Sequence, residues 1–401
     1  MAQAARCGGP PDQRELSLVD GHRQGADEMS TTEADTSPLF ALLARQWRLE
    51  AEAKCCAFSR DGASLAFALA DGTVALVSMD DPEAAGTRWR MSIEDGRSTI
   101  SPRARPAAAP VRVPVGEGPL RLAAFGPSGF LAGCASGRVV RLAADGSTRV
   151  VVEHDSAGVD AMAAGGAGDP TGWVAASGSV TRYDPDGGTA VAVARYDGIA
   201  RVVAPAPDGQ RVALGFEASL SVIDLQGEAG ERFETALGPV EALSWSPDGS
   251  RLAVGLLDGG AALIDIADRR VLRLPDYPAP VRTLDWSADG RHLVTGGAFR
   301  IIVWEAGRTA ETGRAGLVAV EAARLHPRLP LVAAGYENGM IVIAAIGQRD
   351  ELVIRDPAPG GLRDLAWSPD GEHLAFHAAQ GWAGVIDLPA HMFKQIDRRT
   401  A

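Results

Sequence analysis

Short apolar runs separated by glycine-containing turns follow one another between about residues 45 and 390, without the 3.6-residue period of a helix. The segment LSWSPDGSRLAVG (Leu243–Gly255) returns as LDWSADGRHLVTG (Leu284–Gly296) and as LAWSPDGEHLAFH (Leu365–His377). Each copy predicts a strand, a tight turn in which proline presets φ and glycine supplies a positive φ, and a second strand. A further glycine-containing turn leads to a short β-branched third strand, and a weaker fourth strand follows.

The copies recur with a period of about 40 residues, which is typical of propeller blades. Aligned on the Asp-Gly turn, their anchor positions are Asp61, Ser128, Gly168, Asp208, Asp248, Asp289, Arg328 and Asp370. Because one such unit cannot bury both of its faces, neighbouring units must stack. The pattern therefore predicts an all-β fold, a single β-propeller of four-stranded blades. Eight blades match the number of copies, and seven are the alternative because the third copy is rich in glycine.

The repeat region sets the bounds of the predicted domain, with the propeller at residues 38–390 and a C-terminal tail at 391–401. The stretch QWRLEAEA (Gln46–Ala53) precedes the first copy as a lone strand. We expect it to be the outer strand of the last blade, which would close the ring and remove its free edges. Pro38 begins a short predicted helix that packs on the propeller.

Two segments depart from the repeat. Residues 1–37 carry seven acidic residues and three arginines with almost no apolar periodicity, which predicts a disordered acidic N-terminal tail. Residues 81–118 interrupt the chain after the first repeat. Their centre is rich in proline, alanine and arginine, which predicts a loop insertion with a strand at its end.

Composition narrows the function classes. A net charge of −12 argues against nucleic-acid binding, which needs a basic surface. No apolar run is long enough to span a membrane and no secretory signal is visible, so we expect a cytoplasmic monomer. The four cysteines lack metal-ligand spacing, which indicates reduced thiols. Two lysines beside 37 arginines, with abundant alanine and glycine, suggest a bacterial source.

The segments WSPDGSRLAV, WSADGRHLVT and WSPDGEHLAF resemble WD-repeat β-propellers, and the resemblance covers roughly residues 45–390. The Gly-His pair of that family is absent before the first strand. Its Trp-Asp ending is replaced by Ile223-Asp224, Ile264-Asp265, Ile386-Asp387 and Trp304-Glu305. The motif is also similar to TolB-type propellers, which work in the periplasm, but the missing signal sequence counts against that relative.

A charged residue lies seven positions before every anchor except Gly168, where it lies eight before: Lys54, Arg121, Asp160, Arg201, Glu241, Arg282, Glu321 and Arg363. In the family that the chain resembles, the first strand is innermost and starts at the rim of a central channel, so a ring of charges is expected. From Asp160 to Arg363 the signs alternate, which favours pairing between adjacent blades, worth ~0–1 kcal/mol for each pair. Arg363, Lys54 and Arg121 become consecutive on closure. As an uncompensated basic arc they would instead receive an acidic segment or ligand.

Large apolar residues recur at the turn between the second and third strands, on the face expected to carry the rim: Phe216, Leu256, Phe299, Tyr336 and Trp382. Aromatic side chains beside arginines are typical of protein-binding hot spots. The same residues would equally well cap the blade cores.

The sequence shows no nucleophile beside a base, no metal-ligand spacing and no phosphate-binding loop, so we expect neither an enzyme nor a cofactor. It predicts a non-enzymatic scaffold for protein–protein interaction. The partner-binding residues would be Lys54, Arg121, Arg201, Arg282, Arg363, Phe216, Phe299, Tyr336 and Trp382. The alternative is a propeller enzyme, or a sensor of a small anionic ligand, at the basic arc.

Overall fold

Eight four-stranded antiparallel sheets follow one another along the chain in a computed structural model. It describes residues 38–91, 98–154, 158–166, 168–185, 189–226, 232–274, 277–305 and 308–393. The predicted N-terminal tail and residues 394–401 of the predicted C-terminal tail lie outside these residues. Eight blades are thus confirmed, and the seven-blade alternative is wrong.

The first four blades carry their strands in chain order from the innermost to the outermost. Blade one comprises β2 (Ala53–Phe58), β3 (Ser64–Leu69), β4 (Thr73–Ser78) and β7 (Val111–Pro114). Blade two comprises β8 (Arg121–Phe125), β9 (Gly129–Gly133), β10 (Arg138–Leu142) and β11 (Thr148–Glu153). Blade three comprises β12 (Val159–Ala164), β13 (Gly172–Ala176), β14 (Ser179–Tyr183) and β15 (Ala190–Arg195). Blade four comprises β16 (Val202–Pro205), β17 (Arg211–Gly215), β18 (Ser219–Asp224) and β19 (Arg232–Ala236).

The remaining blades repeat this order, except that the last one takes its outer strand from the N-terminal side. Blade five comprises β20 (Val240–Trp245), β21 (Arg251–Leu256), β22 (Ala261–Asp265) and β23 (Arg270–Arg273). Blade six comprises β24 (Leu284–Trp286), β25 (His292–Thr295), β26 (Ile301–Glu305) and β27 (Arg308–Thr312). Blade seven comprises β28 (Val320–Leu325), β29 (Leu331–Tyr336), β30 (Ile341–Ala345) and β31 (Glu351–Arg355). Blade eight comprises β32 (Leu362–Trp367), β33 (His373–Ala378), β34 (Trp382–Asp387) and β1 (Ala44–Arg48).

The blades form a closed ring. The first strand of each blade contacts the first strand of the next, and β32 of blade eight contacts β2 of blade one. The predicted closing strand is confirmed, because β1 pairs antiparallel with β34, Ala44 opposite Ile386. It begins and ends earlier than predicted, since Ala53 already belongs to β2. In the described part of the chain, every core cluster lies at a seam between two neighbouring blades. The core is therefore a ring of inter-blade seams, as expected for units that cannot bury both faces alone.

The repeated Ser-x-Asp-Gly motif is a local hydrogen-bond network at the end of the first strand. In blades one, five, six and eight the serine hydroxyl donates to the aspartate at 2.5–2.6 Å and accepts a backbone N–H from five residues further on. Asp248 also accepts the backbone N–H of Ser250 at 3.0 Å, and these bonds lower the pKa of Asp248 to about 2. Gly249 supplies the positive φ, 67°, that closes the turn.

The tryptophan of the motif holds adjacent blades together. The indole N–H of Trp245 donates to the Ala204 carbonyl at 2.9 Å, and that of Trp286 to the Ser244 carbonyl at 3.1 Å. Each bond crosses from one first strand to the first strand of the preceding blade. The motif thus serves both the turn and the seam.

Residues 81–118 form more than the predicted loop. They contain helix α2 (Ala85–Arg88) and a hairpin of β5 (Trp89–Met91) and β6 (Ser98–Ile100), and their final part includes β7, the outer strand of blade one. The Arg88 side chain donates to the Leu42 carbonyl and to the Ser101 carbonyl. These contacts fix the segment to the chain next to the closing strand. The sequence could not show the contact with Leu42, because the two residues lie 46 positions apart in the chain.

Short elements at the two ends of the described chain pack on blades seven and eight. Helix α1 (Pro38–Leu43) places Phe40 against Phe376, with ring centroids 5.7 Å apart, and under the guanidinium of Arg355. This confirms the predicted short helix. A 3₁₀ turn at Ala390–Phe393 buries Phe393 in the same core cluster, so ordered packing continues past residue 390.

Candidate functional site: the rim of the central channel

The eight charged residues that precede the anchors lie where the first strands begin, and we call this set the channel rim. In blades one, three, five, seven and eight, the charged residue occupies an irregularity in the pairing of the first and second strands. Glu241, for example, is skipped between the pairs Val240–Leu256 and Ala242–Gly255. A bulge leaves one residue unpaired and redirects its side chain. The bulge explains why a charge is tolerated at the start of an otherwise buried sheet.

Pairing between neighbouring blades holds for two pairs of the channel rim. Arg201 lies 2.5 Å from Glu241, and this hydrogen bond raises the pKa of Arg201. Arg282 lies 3.1 Å from Glu321. Asp160 behaves differently, because it accepts the Tyr196 hydroxyl at 2.6 Å. Four of the six residues whose charges alternate in sign along the sequence therefore form ion pairs between neighbouring blades.

The predicted basic arc is not uncompensated. Glu52 lies 2.9 Å from Lys54 and 3.8 Å from Arg363, so one carboxylate bridges two of the three cations. The hydrogen bond from Lys54 lowers the pKa of Glu52, which keeps this carboxylate charged. Arg121, the third cation, donates to the backbone carbonyl of Asp160 at 3.2 Å. The sequence comparison missed Glu52 because it lies two positions before the aligned column.

The predicted apolar set divides by exposure. Tyr336 and Leu256 are 2% and 1% exposed and belong to core clusters, so they cap blades as the second interpretation states. Phe216 is half-buried, with its ring centroid 6.0 Å from that of Tyr196. Trp382 is also half-buried, and the Arg48 guanidinium lies 5.8 Å from its ring. Phe299 is the most exposed residue of this set, at 46%.

A second exposed apolar residue, Leu317, lies near Phe299 and was not singled out in the sequence. Leu317, at the start of blade seven, is 96% exposed. The two backbones lie close together, because the N–H of Gly316, next to Leu317, donates to the Phe299 carbonyl at 2.8 Å. We call Phe299 and Leu317 the apolar pair. It lies on the same face as the channel rim, since the adjacent Val320 begins the first strand that carries Glu321.

A second layer of charges lies deeper, in the middle of the first strands. Arg324 of blade seven forms an ion pair of 2.7 Å with Asp364 of blade eight. Although burial acts to lower it, the Asp364 and Asp285 carboxylates raise the pKa of Arg324. Burial raises the pKa of Asp285 to about 6, and this carboxylate accepts the Leu325 N–H at 2.8 Å. For Asp285 and Arg324 the sequence signal was a charged residue four positions before the anchor in two consecutive copies, where the other copies have alanine or serine.

Two neighbouring thiols line the same layer in blade one. Burial raises the pKa of Cys55 to about 11 and that of Cys56 well above its ordinary value. Both thiols therefore stay protonated at neutral pH. Protonated thiols are poor nucleophiles, which agrees with the expected reduced and unreactive cysteines.

His377 is the one buried imidazole for which the described residues provide no hydrogen bond to either ring nitrogen. It is 2% exposed and lies opposite Asp364 across the β32–β33 pair. The copies in blades five and six have Gly255 and Gly296 at this position. That substitution was visible in the repeat alignment.

A closed ring of eight four-stranded antiparallel blades defines an eight-bladed β-propeller. A family pattern described as the anaphase-promoting complex subunit 4 WD40 domain matches residues 230–289. The resemblance to WD-repeat β-propellers is thereby confirmed. The comparison with curated proteins gave no match.

Two solved structures share the fold at low sequence identity. The Myceliophteria thermophila Cps50 (Swd1) β-propeller domain has a TM-score of 0.52 and 14% identity, over 86% of this chain and 100% of that chain. A chain in the crystal structure of the mitotic checkpoint complex has a TM-score of 0.54 and 17% identity, over 67% of this chain and 90% of that chain. At these identities the likeness is one of fold. Within the described residues, no helix is long and apolar enough to cross a membrane.

Proposed function

We propose that this propeller is a non-enzymatic scaffold that binds another protein on the face carrying the channel rim. The apolar pair is the observation that carries the proposal. Leu317 is 96% exposed and Phe299 is about half exposed. A partner that buries either side chain completely would gain about 1.5–3 kcal/mol of binding free energy from it. Contiguous exposed apolar groups rimmed by polar residues are typical of protein-binding surfaces.

The charges near the apolar pair favour the same function. Arg282 and Glu321 form a part-exposed ion pair in the same two blades, and Arg314 is exposed close to Leu317. A buried apolar centre with a charged edge is the usual composition of a protein interface. The matched family and one similar structure are named after multiprotein assemblies, the anaphase-promoting complex and the mitotic checkpoint complex. This is consistent with a partner for the present chain.

The alternative function, a site for a small anionic ligand at the basic arc, is not favoured. Glu52 occupies the space between Lys54 and Arg363 and neutralises part of their charge. A cytoplasmic location, a bacterial source and a monomeric state remain predictions from the sequence.

The proposal is tested by capturing partners with the full-length protein in extracts of its own cells, followed by affinity measurement with the purified partner. Phe299→Asp with Leu317→Asp should weaken binding tenfold or more, because charges replace the apolar pair. Val191→Asp is the matched control, since Val191 is 50% exposed on the outer strand of blade three, away from the rim. Equal affinity of all three proteins would remove the proposal for this face.

A further inference from the structure

A groove open to solvent lies between blades five and six, away from the channel rim. One wall is Leu263 and Leu272, which face each other directly on β22 and β23. The opposite wall is Trp286 and Trp304 of blade six. Arg251 and Arg291 lie at its edge, just after the Asp-Gly turns, and therefore at the opposite end of the first strands from the rim. We call this space the five–six groove.

The preceding seam, between blades four and five, shows what normally fills this space. Phe233 occupies the position on β19 that Leu272 occupies on β23, opposite Val222, and packs against the core cluster of that seam. In the same seam, the Arg211 guanidinium stacks 5.6 Å from the Trp245 ring. The five–six groove has a smaller residue in place of Phe233, and Leu272 is consequently 52% exposed. The seam is thus incompletely filled from within.

The groove is apolar inside. The indole N–H of Trp286 donates to the Ser244 carbonyl at 3.1 Å, and that of Trp304 donates to the Tyr277 hydroxyl at 3.0 Å. Both indoles therefore present only ring carbons to a guest. The volume is about 60 Å³, room for roughly four water-sized groups. This matches the four carbon atoms of one leucine or isoleucine side chain.

The edge of the groove is basic. Arg251 is exposed, and its guanidinium has no ion pair with any described residue. Arg291 is 77% exposed and lies 3.7 Å from Asp289, a loose contact. These two exposed guanidinium groups stand out in a chain whose net charge is −12. Arginine binds carboxylates in a bidentate manner, so acidic residues complement this edge.

We propose that the five–six groove binds a short acidic segment of another protein, which inserts one leucine or isoleucine side chain between Leu272 and Trp304. Its carboxylates contact Arg251 and Arg291. Tryptophan and arginine around a desolvated apolar pocket are the residue types that dominate binding free energy at interfaces. Because the groove and the channel rim lie at opposite ends of the first strands, the two surfaces can be occupied at the same time. The groove does not depend on the function proposed for the rim.

The test uses the full-length protein and a displayed library of random nine-residue peptides. Leu272→Phe copies the residue that fills the preceding seam, so it should close the groove without exposing new core. Leu352→Phe is the matched control, since Leu352 is 40% exposed on the outer strand of blade seven. Selection on the wild-type and control proteins should enrich peptides with one leucine or isoleucine flanked by acidic residues, and selection on Leu272→Phe should not.

Affinity measurements with one enriched synthetic peptide complete the test. Its affinity should fall tenfold or more in Leu272→Phe and severalfold in Arg251→Ser, and it should weaken at high salt because the edge contacts are ionic. Thermal unfolding verifies that each variant is folded. Failure to enrich any peptide, enrichment of neutral or basic peptides, or equal binding by Leu272→Phe would overturn the proposal. So would a concentration-dependent dimer that Leu272→Phe abolishes, which would identify a second copy of the chain as the occupant.

Discussion

The seam between blades five and six joins two neighbouring copies of the repeat, whereas the seam between blades eight and one joins the two ends of the propeller. In the first, Gly255 lies so close to the next blade that a Cβ atom there would be 2.2 Å from the Val281 carbonyl oxygen. In the second, the same position is His377, a large polar side chain. The strand pattern is shared, but the space available between the blades differs.

The outer parts of the two seams differ further. Blade eight holds Asp387, which accepts the Ala85 N–H at 2.9 Å and lies 3.1 Å from His373 and 3.7 Å from Arg45. Arg45, on the closing strand, also contacts Asp81 at 3.5 Å. Of these partners of Asp387, His373 belongs to the repeat, whereas Ala85 and Arg45 lie outside it.

The comparison teaches that two kinds of contact hold one ring. Seams within the repeat depend on close approach of backbone and apolar side chains, which a copied sequence provides. The closing seam must join segments that were not copied, and it uses buried charges and hydrogen bonds. Buried charges are strongly destabilising when one partner is removed, so the closing seam should be the more sensitive one to polar substitutions.

The largest effect is expected at the closing seam. Asp387→Ala would leave the buried guanidinium of Arg45 with fewer partners and should lower the free energy of unfolding by about 3–5 kcal/mol. Asp265→Ala is the matched control, because Asp265 ends the third strand of blade five at the same repeat position and is only partly buried. Urea unfolding measures both. Equal losses in the two variants would contradict the distinction between the seams.

A smaller effect is expected within the repeat. Gly255→Ala adds a methyl group against the Val281 carbonyl and should lower the free energy of unfolding by about 1–3 kcal/mol. Gly86→Ala serves as the control, since no atom lies within 4 Å of its added Cβ, and it should cause no loss. If Gly255→Ala were as stable as wild type, close backbone approach would not be what holds this seam.

The smallest effect depends on pH and concerns His377. Burial lowers the pKa of this imidazole below its ordinary value of 6.5, and the nearby cations Arg363 and Lys54 lower it further. The carboxylates of Asp364 and Glu52 act in the opposite direction but do not cancel the shift. The unfolded chain therefore binds the extra proton first as pH falls. The free energy of unfolding should then decrease below about pH 6.5, with at most about 1.4 kcal/mol per pH unit from this group.

Urea unfolding between pH 5.5 and 7.5 checks this prediction. His377→Gln should reduce the slope of unfolding free energy against pH by up to about 1.4 kcal/mol per pH unit, which corresponds to one bound proton. His326, whose pKa burial also lowers, should retain its share of the slope in that variant. Identical profiles for wild type and His377→Gln would show that His377 does not titrate between the folded and unfolded states.

The sequence was sufficient for the blades because their determinants are local. Ser246, Asp248 and Gly249 form one turn within a few residues, so a repeated motif reports a repeated structure. The closing strand was also predictable, since a strand outside the count of copies needs an unpaired edge. The order of charges on the rim predicted the Arg201–Glu241 contact for the same reason, because equivalent positions in adjacent copies become neighbours.

What the sequence could not supply depends on contacts between distant parts of the chain. Tyr336 and Phe299 both lie at the turn between the second and third strands of their blades, yet Tyr336 is buried and Phe299 is exposed. The hairpin within residues 81–118 is held by side chains such as Arg88, whose partner Leu42 lies far away in sequence. The groove between blades five and six likewise depends on a packing difference, since Leu272 stands where the preceding seam has the larger Phe233.

The pairing of β1 with β34 has a consequence for biosynthesis. Ala44 leaves the ribosome before its partner Ile386, which emerges only after the whole chain between them has been translated. Until then the eighth sheet lacks a strand, and the segment that will complete it has an unsatisfied hydrogen-bonding edge. The ring of such a nascent chain closes only in one late step. A premature stop a few residues before Trp382 would therefore release a chain in which β1 has no strand to pair with.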